Sequence, residues 1–371
     1  MYAHLFSPYK IDGLELPNRL TMAPLYLGYA AAGGAVSPLL LDHYRLMAQS
    51  GVALVMVENA TIDHPTGSGS DRTLRADSDD YLEGLATLAR VIKQQGARAG
   101  LQINHAGRFA GVALQPLAPS AVETFGRQPR ALSLEEMQKI ACQYAQAARR
   151  VQQAGFDLVE LHGGTGYLLA QFVSPRTNHR ADDYGGPLEN RQKFPLEVVA
   201  QVKAAVADFP VGYRFLADEW LPDGLLLAES GRFAQALAQA GVAYLSVMGG
   251  TYESFFLPQI VEKSKQAGYM VDLAAAIKGQ VKVPVITAGR IATGALAEEI
   301  LERGRADLIG LARVLWADPD WPRKVQQARE SEIIHCDPGC DTCMQMVMRG
   351  KPAFCVRWPV EKMRTWKTKF L

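Results

Sequence analysis

Val283-Pro284-Val285-Ile286-Thr287-Ala288-Gly289-Arg290 and Ala306-Asp307-Leu308-Ile309-Gly310-Leu311-Ala312-Arg313 are brief apolar runs, each ending in a loop that carries an arginine. Such runs suit strands buried on both faces. The helical pattern Ala295–Arg303 lies between them, and Gly304 follows where a left-handed cap is needed. Working outward, the same unit recurs. Strands are expected at Leu20–Pro24, Val52–Glu58, Ala99–Asn104, Asp157–His162, Pro210–Leu216 and Ala243–Met248. Helices are expected at Leu39–Gln49, Tyr81–Gln95, Ser133–Ala154, Pro187–Ala207 and Leu225–Ala240. Ser133 with Glu136 forms a capping box, and Gly155 and Gly241 stand just past two helix ends. Eight strands alternating with helices indicate an α/β chain folded as a closed (β/α)8 TIM barrel, in preference to an open doubly wound sheet.

The barrel is assigned to residues 1–330 and a cysteine-containing C-terminal extension to 331–371. A chain of 371 residues is compatible with one barrel, since insertions carry that fold beyond about 250 residues. A net charge of +1 without a basic stripe argues against a nucleic-acid partner. The chain shows no apolar run of roughly 18 residues and no secretory start, so a cytoplasmic protein with no membrane partner is expected. Of five cysteines, Cys142 sits alone in a helical pattern, and Cys336, Cys340, Cys343 and Cys355 are clustered. In a large intracellular chain such a cluster reads as metal or iron–sulfur ligation before disulfides.

Barrel enzymes carry their working groups at strand C-termini. Those positions hold Ala23-Pro24-Leu25-Tyr26, Glu58-Asn59, Gln102, His162 and Arg214. After strands seven and eight come Gly289-Arg290 and Ala312-Arg313, the loops that often form a phosphate site in this fold. Gly289 admits backbone N–H groups to a phosphate, and the two arginines add charged donors. Gln102 offers a donor and an acceptor to a pyrimidine-like edge. Arg214 points inward, where it needs an anionic partner: a reduced flavin, or alternatively Glu58 or Asp218.

Ser7-Pro8, Leu16-Pro17-Asn18-Arg19, Gln102-Ile103-Asn104-His105-Ala106-Gly107-Arg108 and Leu117-Ala118-Pro119-Ser120 resemble the old yellow enzymes. So do Ser174-Pro175-Arg176-Thr177-Asn178-His179-Arg180 and Asp183-Tyr184-Gly185-Gly186-Pro187-Leu188-Glu189-Asn190-Arg191, with the likeness running in order along the chain. The cysteines and Leu311-Ala312-Arg313 are most similar to the barrel portion of the 2,4-dienoyl-CoA reductase and 2-enoate reductase branch. The resemblance implies FMN held by Ala23, Pro24, Leu25, Tyr26, Asn59, Gln102, Arg214, Gly289, Arg290, Ala312 and Arg313. It further implies NAD(P)H as reductant, a small α,β-unsaturated carbonyl substrate and a homo-oligomer. His162 and Thr165 would hold the substrate oxygen and Tyr167 would supply a proton. Thr165 stands where relatives carry His or Asn.

Cys336-x3-Cys340-x2-Cys343-x11-Cys355 resembles the branch's [4Fe–4S] segment with its first two gaps exchanged. By count four thiolates suit a cubane cluster or a structural zinc equally well. Only residues 356–371 follow, and no Gly-x-Gly-x-x-Gly follows a strand, so a cluster here is expected to need an external electron-donor protein or to be structural only. Two other readings are a flavin and iron–sulfur electron-transfer subunit and an amine-dehydrogenase-like enzyme. The second is disfavoured because the sequence shows no aromatic bowl for an ammonium group.

Overall fold

Eight parallel strands close on one another in the computed structural model, which describes residues 2–370. In chain order they are β1 (Leu20–Met22), β2 (Leu54–Thr61), β3 (Arg98–Asn104) and β4 (Leu158–Gly163). Then follow β5 (Val211–Asp218), β6 (Leu245–Gly249), β7 (Val285–Thr287) and β8 (Leu308–Leu311). Each pairs with the next, and Ile309 opposite Leu20 completes the ring. Every residue of β1, β4, β6, β7 and β8 is buried, which is why these strands read as brief, mostly apolar runs. All eight expected strands are present.

Local signals set most helix ends. Ser133 Oγ accepts the Glu136 N–H at 3.1 Å, and Glu136 Oε2 accepts the Ser133 N–H at 2.9 Å, opening the helix Leu134–Gln153. Gly155, Gly241 and Gly304 have φ of 81°, 81° and 62°, the left-handed conformation expected past helix ends. One expected helix is broken: Leu188–Arg191 and Lys193–Val206 replace a continuous 187–207. Pro195 has no N–H to give Arg191, so a continuous helix would lose that bond.

A hairpin escaped the sequence reading. Tyr9–Ile11 pairs antiparallel with Leu14–Leu16 across Asp12 and Gly13, whose φ values are 44° and 87°. Two successive positive φ values mark the tight turn for which Asp-Gly is suited. Ile11 and Leu16 pack against Leu54, Leu158, Tyr244 and Leu308, near the starts of the strands, and so plug the barrel's N-terminal end. The opposite end is left to chemistry. The segment 106–130 roofs it: Leu117–Ala118 pairs with Arg130–Ala131, while Ala106, Ala110 and Ala113 cluster with Tyr167.

From residue 331 onward the chain does not hang free. Ala353, Phe354, Cys355, Trp358 and Trp366 belong to the main apolar cluster of the barrel. The Ala353 N–H donates to the Leu27 carbonyl at 2.9 Å, and the Tyr29 hydroxyl donates to the Ala353 carbonyl at 2.8 Å. Among the described residues no helix is long and apolar enough to cross a membrane.

The loop after β1 is also tied from below. Glu58 on β2 is buried, and its Oε2 accepts the Leu27 N–H at 3.0 Å while Oε1 has no partner among the described residues. Burial pushes this carboxyl up to about 8. The folded protein therefore keeps a proton that the unfolded chain releases near 4.5, and stability falls as pH rises between those values. Relative to Glu58→Gln, the wild type should lose up to about 1.4 kcal/mol per pH unit across that window. Urea midpoints measured as a pH series check this, and a constant difference would contradict it. Ile11→Ala, which empties the plug, should cost about 2–5 kcal/mol in the same assay.

Candidate active site

The loops after β7 and β8 meet over a cavity of about 130 Å³ at the C-terminal end of the barrel. Ala23, Pro24, Arg214, Gly289, Arg290, Ala312 and Arg313 line it, seven residues singled out from the sequence. Gly289 has φ 105°, and a Cβ there would come within 3.2 Å of Met270. Only glycine brings the backbone to this spot. Arg290 follows with φ 56°, also left-handed.

Three guanidinium groups share this space, and none is in an ion pair among the described residues. Arg214 Nη1 donates to Ser246 Oγ at 2.7 Å, so neither Glu58 nor Asp218 is its counter-ion, contrary to one expectation. Arg290 donates to the Ser264 and Pro338 carbonyls at 2.7 and 3.1 Å. Arg313 makes no hydrogen bond or ion pair among the described residues. Burial pulls Arg290 below the usual guanidinium range and the Arg313 charge adds to that effect. All three cations act on Tyr269, which also lines the cavity and was not foreseen. A dianionic phosphate is the kind of group that satisfies this arrangement.

A polar network lies beneath Arg214. Gln102 donates to Glu160 Oε1 at 2.7 Å, and the Tyr244 hydroxyl donates to Glu160 Oε2 at 2.9 Å. Burial raises the Glu160 carboxyl, and the Arg214 charge opposes this. Glu160 was overlooked, although an acid inside Leu158-Val159-Glu160-Leu161 is a departure from the strand pattern. Gln102 keeps its carbonyl and a second N–H for a ligand edge.

The loop after β4 carries the proton chemistry. His162 is buried, and its Nδ1 accepts the Gly164 N–H at 3.2 Å. Burial, then the Arg214 charge, hold the imidazole well below its usual range. It is therefore neutral with its proton on Nε2, a hydrogen-bond donor. Tyr167 stacks edge-on to His162 at 4.7 Å between centroids. Its hydroxyl contacts Tyr252 Oη at 2.8 Å and Asn59 Nδ2 at 3.4 Å. Burial keeps this phenol protonated far above the ordinary tyrosine range. Thr165 adopts φ 60°, unusual for a β-branched residue, and turns its hydroxyl to Met248 Sδ at 3.5 Å. Tyr26 bonds Ser70, and burial lifts its phenol to about 12. Leu25, Tyr26, Asn59, Gln102 and the His162–Tyr167 group lie outside the arginine cavity. Phe109 meets Tyr167 and Tyr252 edge-to-face, and Tyr252 meets Phe255. These rings come from separate loops, so the sequence reading that found no aromatic cluster missed it.

Cys336, Cys340, Cys343 and Cys355 line one pocket together with Arg313, Trp316 and Arg357. None forms a disulfide. Four thiols beside two cations are chemically suited to an anionic metal–sulfur group. As they stand, no three His, Cys, Asp or Glu side chains among the described residues are gathered for one metal ion. A single zinc would require sulfurs about 3.8 Å apart, given Zn–S bonds of about 2.3 Å.

With this geometry in hand, comparison is informative. Residues 4–332 match the NADH:flavin oxidoreductase / NADH oxidase family. The chain is 43% identical over 350 residues to an NADH oxidase of Thermoanaerobacter brockii, covering 91% of this chain and 54% of that protein. It is 35% identical to an NADPH dehydrogenase of Bacillus subtilis, covering 90% of this chain and 97% of that one. Among solved structures, a 2-naphthoyl-CoA reductase superposes with TM-score 0.92 at 27% identity, covering 97% of this chain and 57% of that chain. The chain thus spans about half the length of the first of these relatives. Barrel, cavity and sequence agree: this chain belongs to the NADH:flavin oxidoreductase / NADH oxidase family, the old yellow enzymes.

Proposed function

We propose that this chain is an FMN-dependent NAD(P)H oxidoreductase that reduces the activated C=C bond of α,β-unsaturated carbonyl compounds. The observation that carries the reading is the cavity lined by three guanidiniums that form no ion pair among the described residues, set beside a neutral imidazole that presents Nε2–H. Gly289, Arg290, Ala312 and Arg313 would hold the FMN phosphate, Arg214 and Gln102 the pyrimidine end, and Ala23, Pro24 and Leu25 the ring. Bound there, FMN would take a hydride from NAD(P)H and deliver it to the β-carbon of the alkene. The names NADH oxidase and NADPH dehydrogenase among the relatives support the reductant, and the 2-naphthoyl-CoA reductase supports an unsaturated acyl substrate.

His162 Nε2–H donates to the substrate carbonyl oxygen, where negative charge gathers as the hydride arrives. Tyr167 holds the proton for the α-carbon, and its buried phenol keeps that proton until the carbon becomes basic. Hydride and proton together add one H2 equivalent across the double bond. Thr165 spends its hydroxyl on Met248 Sδ, so His162 acts as the principal clamp. The four clustered cysteines would hold a [4Fe–4S] cluster, whose ligands stand farther apart than those of a single ion, supplied with electrons by a separate donor protein.

The test begins with anaerobically purified protein. Its flavin should be bleached by NAD(P)H and recover its colour when an α,β-unsaturated ketone or thioester is added. His162→Ala should slow that recovery roughly 100-fold or more at unchanged FMN content. Arg313→Ala should weaken FMN binding about 10- to 100-fold, as expected for loss of a charged hydrogen-bond donor. Reduced flavin that no alkene reoxidises, or flavin that an amine reduces, would sink this reading.

A further inference from the structure

The cysteine segment touches the cofactor cavity in two places. On one side, Arg290 is gripped between the Ser264 carbonyl at 2.7 Å and the Pro338 carbonyl at 3.1 Å. Pro338 lies between Cys336 and Cys340. Cys336 itself lines the arginine cavity as well as the cysteine pocket, and so does Arg313. On the other side, Ala353, two residues before Cys355, is bonded in both directions to the loop after β1. Its N–H meets the Leu27 carbonyl and its carbonyl meets the Tyr29 hydroxyl. That loop begins with Ala23 and Pro24, the facing wall of the same cavity. The segment thus contacts one wall directly and is bonded, at Leu27 and Tyr29, to the loop that continues from Ala23 and Pro24, and no disulfide joins its thiols.

We propose that the cysteine segment is a clamp on the flavin site. This inference rests on the flavin reading above. Joining the four thiols to one shared metal–sulfur group fixes Pro338 relative to Ala353, and hence Arg290 and the cavity's β7–β8 side relative to Ala23 and Pro24. The thiols and the phosphate site are then linked thermodynamically: filling either one lowers the ordering cost of the other. Arg313, shared by the two cavities, is the shortest route of that coupling. The segment that looks like an appendage in the sequence is by this account part of the cofactor site.

The experiment uses the full chain and reads FMN affinity from quenching of free flavin fluorescence during titration. Cys340→Ser, which alters a thiol away from the arginine cavity, should raise the FMN Kd about tenfold, within the usual range of coupling between two sites. Tyr29→Phe, which removes the hydroxyl from Ala353, should weaken FMN in the parent but add less in the Cys340→Ser background. Conversely, bound FMN should slow the loss of iron from the parent to a chelator. If circular dichroism shows that Cys340→Ser does not fold, the same titration on parent protein before and after chelation replaces it. An equal Kd with joined and unjoined thiols, strictly additive variants, or a parent isolated without any metal would each overturn the clamp and leave the flavin reading standing. A parent that binds no FMN at all would overturn the flavin reading itself, and the clamp with it.

Discussion

Arg214, Arg290 and Arg313 face one cavity and form no ion pair among the described residues, with the buried Glu160 carboxyl close enough to Arg214 for their charges to interact. Two unit charges 4 Å apart interact by about 4 kcal/mol at an effective dielectric near 20, so such a grouping opposes folding unless an anion repays it. Elsewhere several arginines are in ion pairs: Arg108 with Glu253, Arg191 with Glu229 and Arg75 with Asp77. Others, such as Arg72 and Arg127, donate to backbone carbonyls. At Gly289 a side chain would crowd Met270, so glycine lets the backbone border the cavity there.

The two ends of the barrel divide the labour. At the N-terminal end the hairpin plug is apolar, with Ile11 and Leu16 buried against strand starts, and it supplies stability without chemistry. At the C-terminal end the strands finish in polar groups that would be costly if they were not bound to one another or to a ligand. Gln102, Glu160 and Tyr244 satisfy one another just below Arg214. Not every group is satisfied: Glu58 Oε1, Asn59 Oδ1, Asn104 Oδ1 and Thr287 Oγ1 have no partner among the described residues, while Glu58 Oε2 holds the Leu27 N–H in place. A strained Thr165 and a left-handed Arg290 sit at the same end, where backbone strain is expected to collect.

What the sequence made legible follows from range. The eight strands were readable because burial on both faces leaves brief, mostly apolar runs, and the capping box at Ser133 because it spans four residues. The Asp12-Gly13 hairpin was equally local and could have been recognised from that dipeptide. Gly289-Arg290 and Ala312-Arg313 were legible through the barrel's phosphate geometry. Tyr252 and Tyr269 were not, because a tyrosine in a loop carries no periodic signal and only closure of the barrel brings it to Tyr167 or to the arginines. The cysteine spacing suggested a common site but could not say that Cys336 also borders the arginine cavity, which depends on where a long loop lands.

Arg214 joins the two halves of the proposed chemistry. It lies among the cavity groups, yet its charge is also one of the forces that keep His162 unprotonated. A protonated imidazole would be the stronger donor to a developing enolate, but it would stand as a fourth cation beside an already crowded group. Neutral His162 donates through Nε2 because the Gly164 N–H occupies Nδ1, so the donor is fixed by backbone geometry and not by pH. Burial, reinforced by the Arg214 charge, thus keeps His162 neutral. Removing Arg214 would alter both ends at once, and for that reason its loss cannot be read as an effect on cofactor binding alone.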